Sequence, residues 1–87
     1  MASIDDILQK MRASKAGWRP GDLERVYLGL GFGMREGSKH RLYIHPKYPE
    51  LRATVTRSRT LAVGYITEAL RLADRLRELE ARDAADS

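Results

Sequence analysis

The 87-residue chain contains no cysteine, a single tryptophan, a single phenylalanine and three prolines. Without thiols it has no disulfide framework, no thiolate nucleophile and no Cys-rich zinc site, and nothing points to an oxidising compartment. It also lacks any window near the roughly 18 consecutive apolar residues that span a bilayer. Its first ten residues place Asp5 and Asp6 in a polar helical pattern instead of the apolar run of a signal peptide. These absences predict an unprocessed, soluble, cytoplasmic protein that contacts no membrane. A chain this short buries one modest core, which excludes a large multi-substrate enzyme and leaves room only for chemistry that uses few residues.

Acidic charge is in deficit, with 16 Lys plus Arg against 12 Asp plus Glu and a net charge of +4 at pH 7. The excess is uneven. Lys39, Arg41, Lys47, Arg52, Arg57 and Arg59 face Glu50 alone, whereas from Asp74 to Ser87 acids outnumber bases. A basic stretch of this kind fits either a solvated surface or a face that binds a polyanion, such as nucleic acid or an acidic protein.

Ser3 with Asp6 three residues later has the form of a capping box, and Ile4, Ile7, Leu8 and Met11 recur at helical spacing, which predicts a first helix over about Ser3 to Lys15. The Gly17-Trp18-Arg19-Pro20-Gly21 run breaks it. Trp18 is expected to cover the core between this helix and the next. A second helix is predicted from about Asp22, with Leu23, Val26, Tyr27 and Leu30 on one face and Gly29 and Gly31 as its stop. Alternation then replaces the helical period. Phe32 and Met34 open a strand, Gly37-Ser38 supplies a turn, and a second strand runs from about Lys39 to Ile44. The two prolines make His45 to Glu50 a loop. In a third strand Leu51, Ala53 and Val55 share one face, with Arg52, Thr54 and Thr56 on the other. The last helix begins after Arg57-Ser58-Arg59-Thr60 and runs to about Arg82. Its apolar stripe is Val63, Ile66, Ala69, Leu70, Ala73, Leu76 and Leu79, with Glu68–Arg71 and Glu78–Arg82 as surface pairs. Asp83 to Ser87 is expected to fray.

The element order predicts an α+β domain: a three-stranded antiparallel sheet with helices on one face, the arrangement of double-stranded-RNA-binding domains, plus an additional N-terminal helix. Within it, Gly37-Ser38-Lys39-His40-Arg41-Leu42-Tyr43-Ile44-His45-Pro46 reads as more than scaffold. A glycine and a small hydroxyl residue leading into a strand-initial histidine, then an aromatic and His-Pro, resembles the signature of the HicA family of bacterial toxins. Gly31-Phe32, the Thr54-Val55-Thr56 strand and the closing helix extend the resemblance over about Leu23 to Leu76. It implies the toxin component of a type II toxin–antitoxin system, an mRNA interferase that cleaves independently of the ribosome and pairs with a HicB-type antitoxin. The catalytic histidine of the family falls on His40. On this reading residues 1–19 are an extra helix and linker, 20–82 the HicA-like domain, and 83–87 a disordered tail.

The residues fit such chemistry on their own terms. Cleaving RNA without a metal or cofactor needs a base for the 2′-hydroxyl proton, an acid for the leaving 5′-oxygen and cations for the developing charge. Histidine titrates near neutral pH. Lys39 and Arg41 flank His40, and Lys47, Arg52, Arg57 and Arg59 are further candidate RNA or phosphate ligands, the last two equally placed for an acidic antitoxin. Gly37 and Ser38 form the supporting turn. Strict alternation puts His40 with Leu42 and Ile44 on the expected core side and Lys39, Arg41 and Tyr43 opposite. His40 is therefore open to two roles, catalytic or structural at the turn. His45 is expected to shape the loop, with a part as acid or phosphate contact as the alternative, and two histidines five residues apart make no convincing metal site. Tyr43 and Tyr48 are candidates for stacking on bases or for packing. Two other functions fit the same features: a non-catalytic RNA-binding module, and a protein-interaction domain that pairs through the last helix.

Overall fold

The computed structural model describes residues 3–57 and 59–86. Helix α1 (Ile4–Ala13) starts where a cap is available: the Ser3 hydroxyl accepts from the Asp6 N–H at 3.1 Å, and the Asp6 carboxylate accepts from the Ser3 N–H at 3.2 Å. Helix α2 (Pro20–Gly29) starts two residues earlier than expected. Pro20 occupies the first helical position, where its missing N–H costs nothing, and the Asp22 carboxylate accepts from the Arg19 N–H at 2.9 Å. It ends in a Schellman motif: Phe32 N–H donates to the Tyr27 carbonyl and Gly31 N–H to that of Leu28, with Gly31 at φ +95°. The Phe32 ring meets Tyr27 edge-on with centroids 5.0 Å apart, the apolar contact that accompanies such a cap.

Strands β1 (Gly33–Glu36), β2 (His40–Ile44) and β3 (Arg52–Thr56) form an antiparallel sheet in the order β1-β2-β3. The register pairs Tyr43 with Met34 and Ala53, and Arg41 with Glu36 and Val55. Residues directly opposite share a face. Arg41 and Tyr43 therefore lie on the helix-covered side with Ala53 and Val55, while His40, Leu42, Ile44, Arg52, Thr54 and Thr56 lie on the open side. This reverses the expected facing of β2. Tyr43 is fully buried, stacked on Tyr27 at 4.7 Å and 23°, and His40 is exposed. Arg41 tolerates the inner face because its guanidinium reaches Glu24 at 3.4 Å and Glu36 at 3.1 Å. The alternation expected for β3 holds.

Helix α3 (Val63–Asp86) spans about 36 Å at 1.5 Å per residue and lays Ile66, Ala69, Leu70, Leu72, Ala73, Leu76 and Leu79 into the core. Val63, placed in the stripe by its spacing, is half exposed at the first turn. Glu68–Arg71 pairs as expected at 2.7 Å, but Glu78 pairs with Arg75 at 3.0 Å instead of Arg82. Helix α1 is no appendage. It buries Ile7, Leu8 and Met11, and it is tied to α3 by Arg12–Asp74 at 2.5 Å and by Arg77–Asp5. Trp18, partly buried against the core, donates its indole N–H to the Ser14 carbonyl at 2.7 Å. No helix among the described residues is long and apolar enough to cross a membrane.

The expected frayed tail is helical as far as Asp86, with Ser87 outside the described residues. The reason is an anchor: the Tyr48 hydroxyl donates to the Asp83 carboxylate at 2.5 Å, and Lys47 Nζ lies 3.7 Å from it. Tyr48's hydrogen bond, helped by the charge of Lys47 and Arg82, holds the Asp83 carboxyl below its ordinary 3.8, and the bond to Asp83, with burial added, pushes the Tyr48 phenol up to about 12. A lowered acid stabilises the fold above its unfolded pKa; a raised phenol stabilises it below its own. Wild type is expected to exceed Tyr48→Phe in urea-unfolding stability across neutral pH. The gap should close as pH falls below 3.8 and again as it rises from 10 through about 12.

Candidate nucleic-acid interface

The end of the sheet where β2 begins is held by backbone and arginine contacts. Gly37 N–H donates to the His40 carbonyl at 2.8 Å and closes the turn, while Arg57 N–H donates to the Lys39 carbonyl at 3.2 Å. The Arg57 guanidinium also reaches the Gly37 carbonyl at 3.4 Å, strapping the end of β3 to the turn. Gly37 leaves little room for a side chain, since a Cβ there would sit 3.1 Å from the His40 carbonyl. Ser38 and Lys39 are exposed at the tip. His40 is the first residue of β2, opposite Thr56, with its imidazole on the open face of the sheet. An exposed imidazole beside a lysine is suited to exchange protons with a bound phosphodiester's 2′-hydroxyl.

Arg41, the next residue, points to the other side. Together with Arg57, Arg59 and Arg19 it lines an open cleft of about 800 Å³, completed by Gly17, Pro20, Gly21 and Thr60. Arg19 was not among the candidates read from the sequence. Apart from Trp18, expected to cover the core, residues 17–21 read as a helix breaker, and the available signal is an arginine at the N-cap of a Pro-Gly-Asp helix start. Burial opposes the Arg41 charge, but Glu24, the Tyr43 hydroxyl and Glu36 outweigh it and raise the guanidinium's pKa. Arg41 is thus engaged by carboxylates, and Arg57, Arg59 and Arg19 make no ion pair among the described residues. Burial raises the Tyr43 phenol, with Glu24 adding to the effect.

The remaining candidates sit elsewhere. Arg52 lies at the opposite end of the sheet, about 13 Å along the strands from His40 at 3.3 Å per residue, and Lys47 is in the loop at that end. Arg52 donates to the Pro49 carbonyl at 3.2 Å, and Lys47 lies 5.6 Å from the centre of the Tyr48 ring. Tyr43 and Tyr48 are both buried, which removes them as stacking platforms for bases. His45 is buried too, edge-on to Phe32 at 5.1 Å and 5.3 Å from Tyr48, and its Nδ1 accepts from the Lys47 N–H at 3.2 Å. That bond requires an unprotonated Nδ1 and fixes the loop, the role expected of it. No group of three metal-ligating side chains occurs among the described residues.

The two histidines should separate in unfolding experiments. His40→Ala is expected to stay within about 0.5 kcal/mol of wild type, as an exposed strand-end substitution does. His45→Ala is expected to cost about 1–3 kcal/mol through the lost packing and the orphaned Lys47 N–H. Urea titration at neutral pH measures both. No protein-family model, characterised protein or solved structure matches the chain.

Proposed function

We propose that this protein is a toxin-type endoribonuclease that cleaves mRNA without the ribosome, a metal or a cofactor, using His40 as its proton-handling residue. The observation that carries the reading is the position of His40: exposed on the open sheet face, at the end where Lys39, Arg57 and Arg59 also lie. The resemblance of the Gly37 to Pro46 segment to the HicA family supports the same role. It extends the reading to a cytoplasmic toxin whose HicB-type antitoxin covers this end of the sheet.

The reaction balances with groups already named. The neutral His40 imidazole takes the proton of the RNA 2′-hydroxyl, and the 2′-oxygen attacks the adjacent phosphorus. The bond to the 5′-oxygen breaks, and that oxygen leaves with a proton returned by the imidazolium. The products are a 2′,3′-cyclic phosphate and a 5′-hydroxyl. Lys39 and the nearby arginines stabilise the charge that builds on the phosphate oxygens. The nucleophile comes from the RNA itself, so no activated water is required.

A second reading, an RNA-binding module without catalysis, is favoured by one observation: the arginine cleft does not contain His40. Cleavage of a defined RNA by the purified protein in the presence of a chelator separates the two. The expected result is 2′,3′-cyclic phosphate ends, with the rate falling by about 10²–10⁴-fold in His40→Ala, the usual worth of a general base. Equal rates for the two proteins overturn the role of His40. RNA binding kept by both with no new ends from either supports the second reading.

A further inference from the structure

We infer that the cleft lined by Arg19, Arg41, Arg57 and Arg59 is a holding subsite for the sugar-phosphate backbone of RNA, separate from the scissile phosphate at His40, with Arg19 and Arg59 as its principal grips. The inference deepens the function proposed above and rests on its RNA substrate.

Four arginines from separate parts of the chain line this cleft: at the N-cap of α2, within β2, just after β3 and in the segment leading to α3. Like charges gathered together repel one another, and among the described residues only Arg41 of the four is ion-paired, with Glu24 and Glu36. Arg41 therefore forms the neutralised floor of the cleft. Arg57 spends one N–H on the Gly37 carbonyl and keeps the rest of its fork, while Arg19 and Arg59 have no ion-pair partner among the described residues. An anion is the missing complement. Arginine at all four positions favours phosphate, whose oxygens accept two parallel N–H bonds from a planar fork.

Two further features fit a phosphate chain. Pro20 and Gly21 form the first turn of α2 at the cleft wall; Pro20 carries no N–H and the Asp22 N–H donates to the Arg19 carbonyl at 3.0 Å, so what this wall offers is space: a side chain at Gly21 would meet nothing within 4 Å, and the approach is open. His40 and Arg41 are consecutive and face opposite sides of the sheet end. A strand whose scissile phosphate sits at His40 passes over the Gly37–Lys39 turn and the Arg57 strap to reach the cleft. An acidic protein surface offers carboxylates too, but it supplies no reason for the cleft to adjoin His40.

The test is binding of an oligoribonucleotide of about 12 nucleotides, 2′-O-methylated so that it cannot be cleaved, to the full chain over a range of salt. Arg19→Ala/Arg59→Ala is compared with wild type and with Lys10→Ala/Arg75→Ala, which removes equal charge from exposed sites on α1 and α3. Circular dichroism checks that each folds. The expected result is a loss of affinity of at least about tenfold for the Arg19/Arg59 variant and a salt slope shallower by about 1.4, the value for two lost phosphate contacts on a single strand. The Lys10/Arg75 variant should stay within about threefold of wild type. Unchanged binding by the Arg19/Arg59 variant overturns the subsite, as does an equal loss in the Lys10/Arg75 variant. So does a cleft that binds polyglutamate more tightly than RNA in an Arg19/Arg59-dependent manner, or one from which a mononucleotide displaces the oligonucleotide at equal concentration. Because the probe cannot be cleaved, the outcome is independent of His40: Arg19/Arg59-dependent binding with no cleavage of ordinary RNA by wild type sustains the subsite and overturns only the catalytic reading.

Discussion

The stack of Tyr43 on Tyr27 decides which side of β2 faces the helices, and the placement of His40 and Arg41 follows from it. Tyr43 pairs across the sheet with Met34 and Ala53, so once its ring is inside, the period of two puts Arg41 inside as well and His40 outside. An inward His40 would have buried a polar ring. An inward Arg41 instead lies between Glu24 and Glu36, so its charge is answered where it sits. Leu42 and Ile44, left on the open face, are only half buried. The sheet thus gives up some apolar burial on one side and gains a fully buried aromatic pair on the other.

Much of this architecture was legible from local chemistry. Ser3 and Asp6 announced the first helix, Gly31 and Phe32 the end of the second, and the alternation from Leu51 to Thr56 the two faces of β3. The facing of β2 was not legible, because Leu42 and Ile44 outweigh Tyr43 on any hydropathy count and the two carboxylates that make Arg41 welcome inside lie on α2 and β1. The helical state of Asp83 is illegible locally for a similar reason: its partner, Tyr48, is 35 positions away.

The same holds for the basic segment. Six cations that are neighbours in sequence divide in space: Lys47 and Arg52 go to the far end, tied to the end of α3 and to the loop before β3, Arg41 turns inward to Glu24 and Glu36, and Lys39, Arg57 and Arg59 gather at the end that carries His40. Arg19 joins them from a stretch that reads as a helix breaker. The surface ion pairs of α1 and α3 are worth at most about 1 kcal/mol each, so the core, not charge, holds this arrangement.

The central claim is that RNA meets the protein at His40 and leaves His45 untouched. Nuclear magnetic resonance of the two imidazoles during titration with the 2′-O-methylated oligonucleotide tests it directly. The account expects the His40 ring signals to move saturably while those of His45, held between Phe32 and Tyr48, stay in place. Saturable RNA binding with unmoved His40 signals, or with those of His45 moving instead, would contradict it.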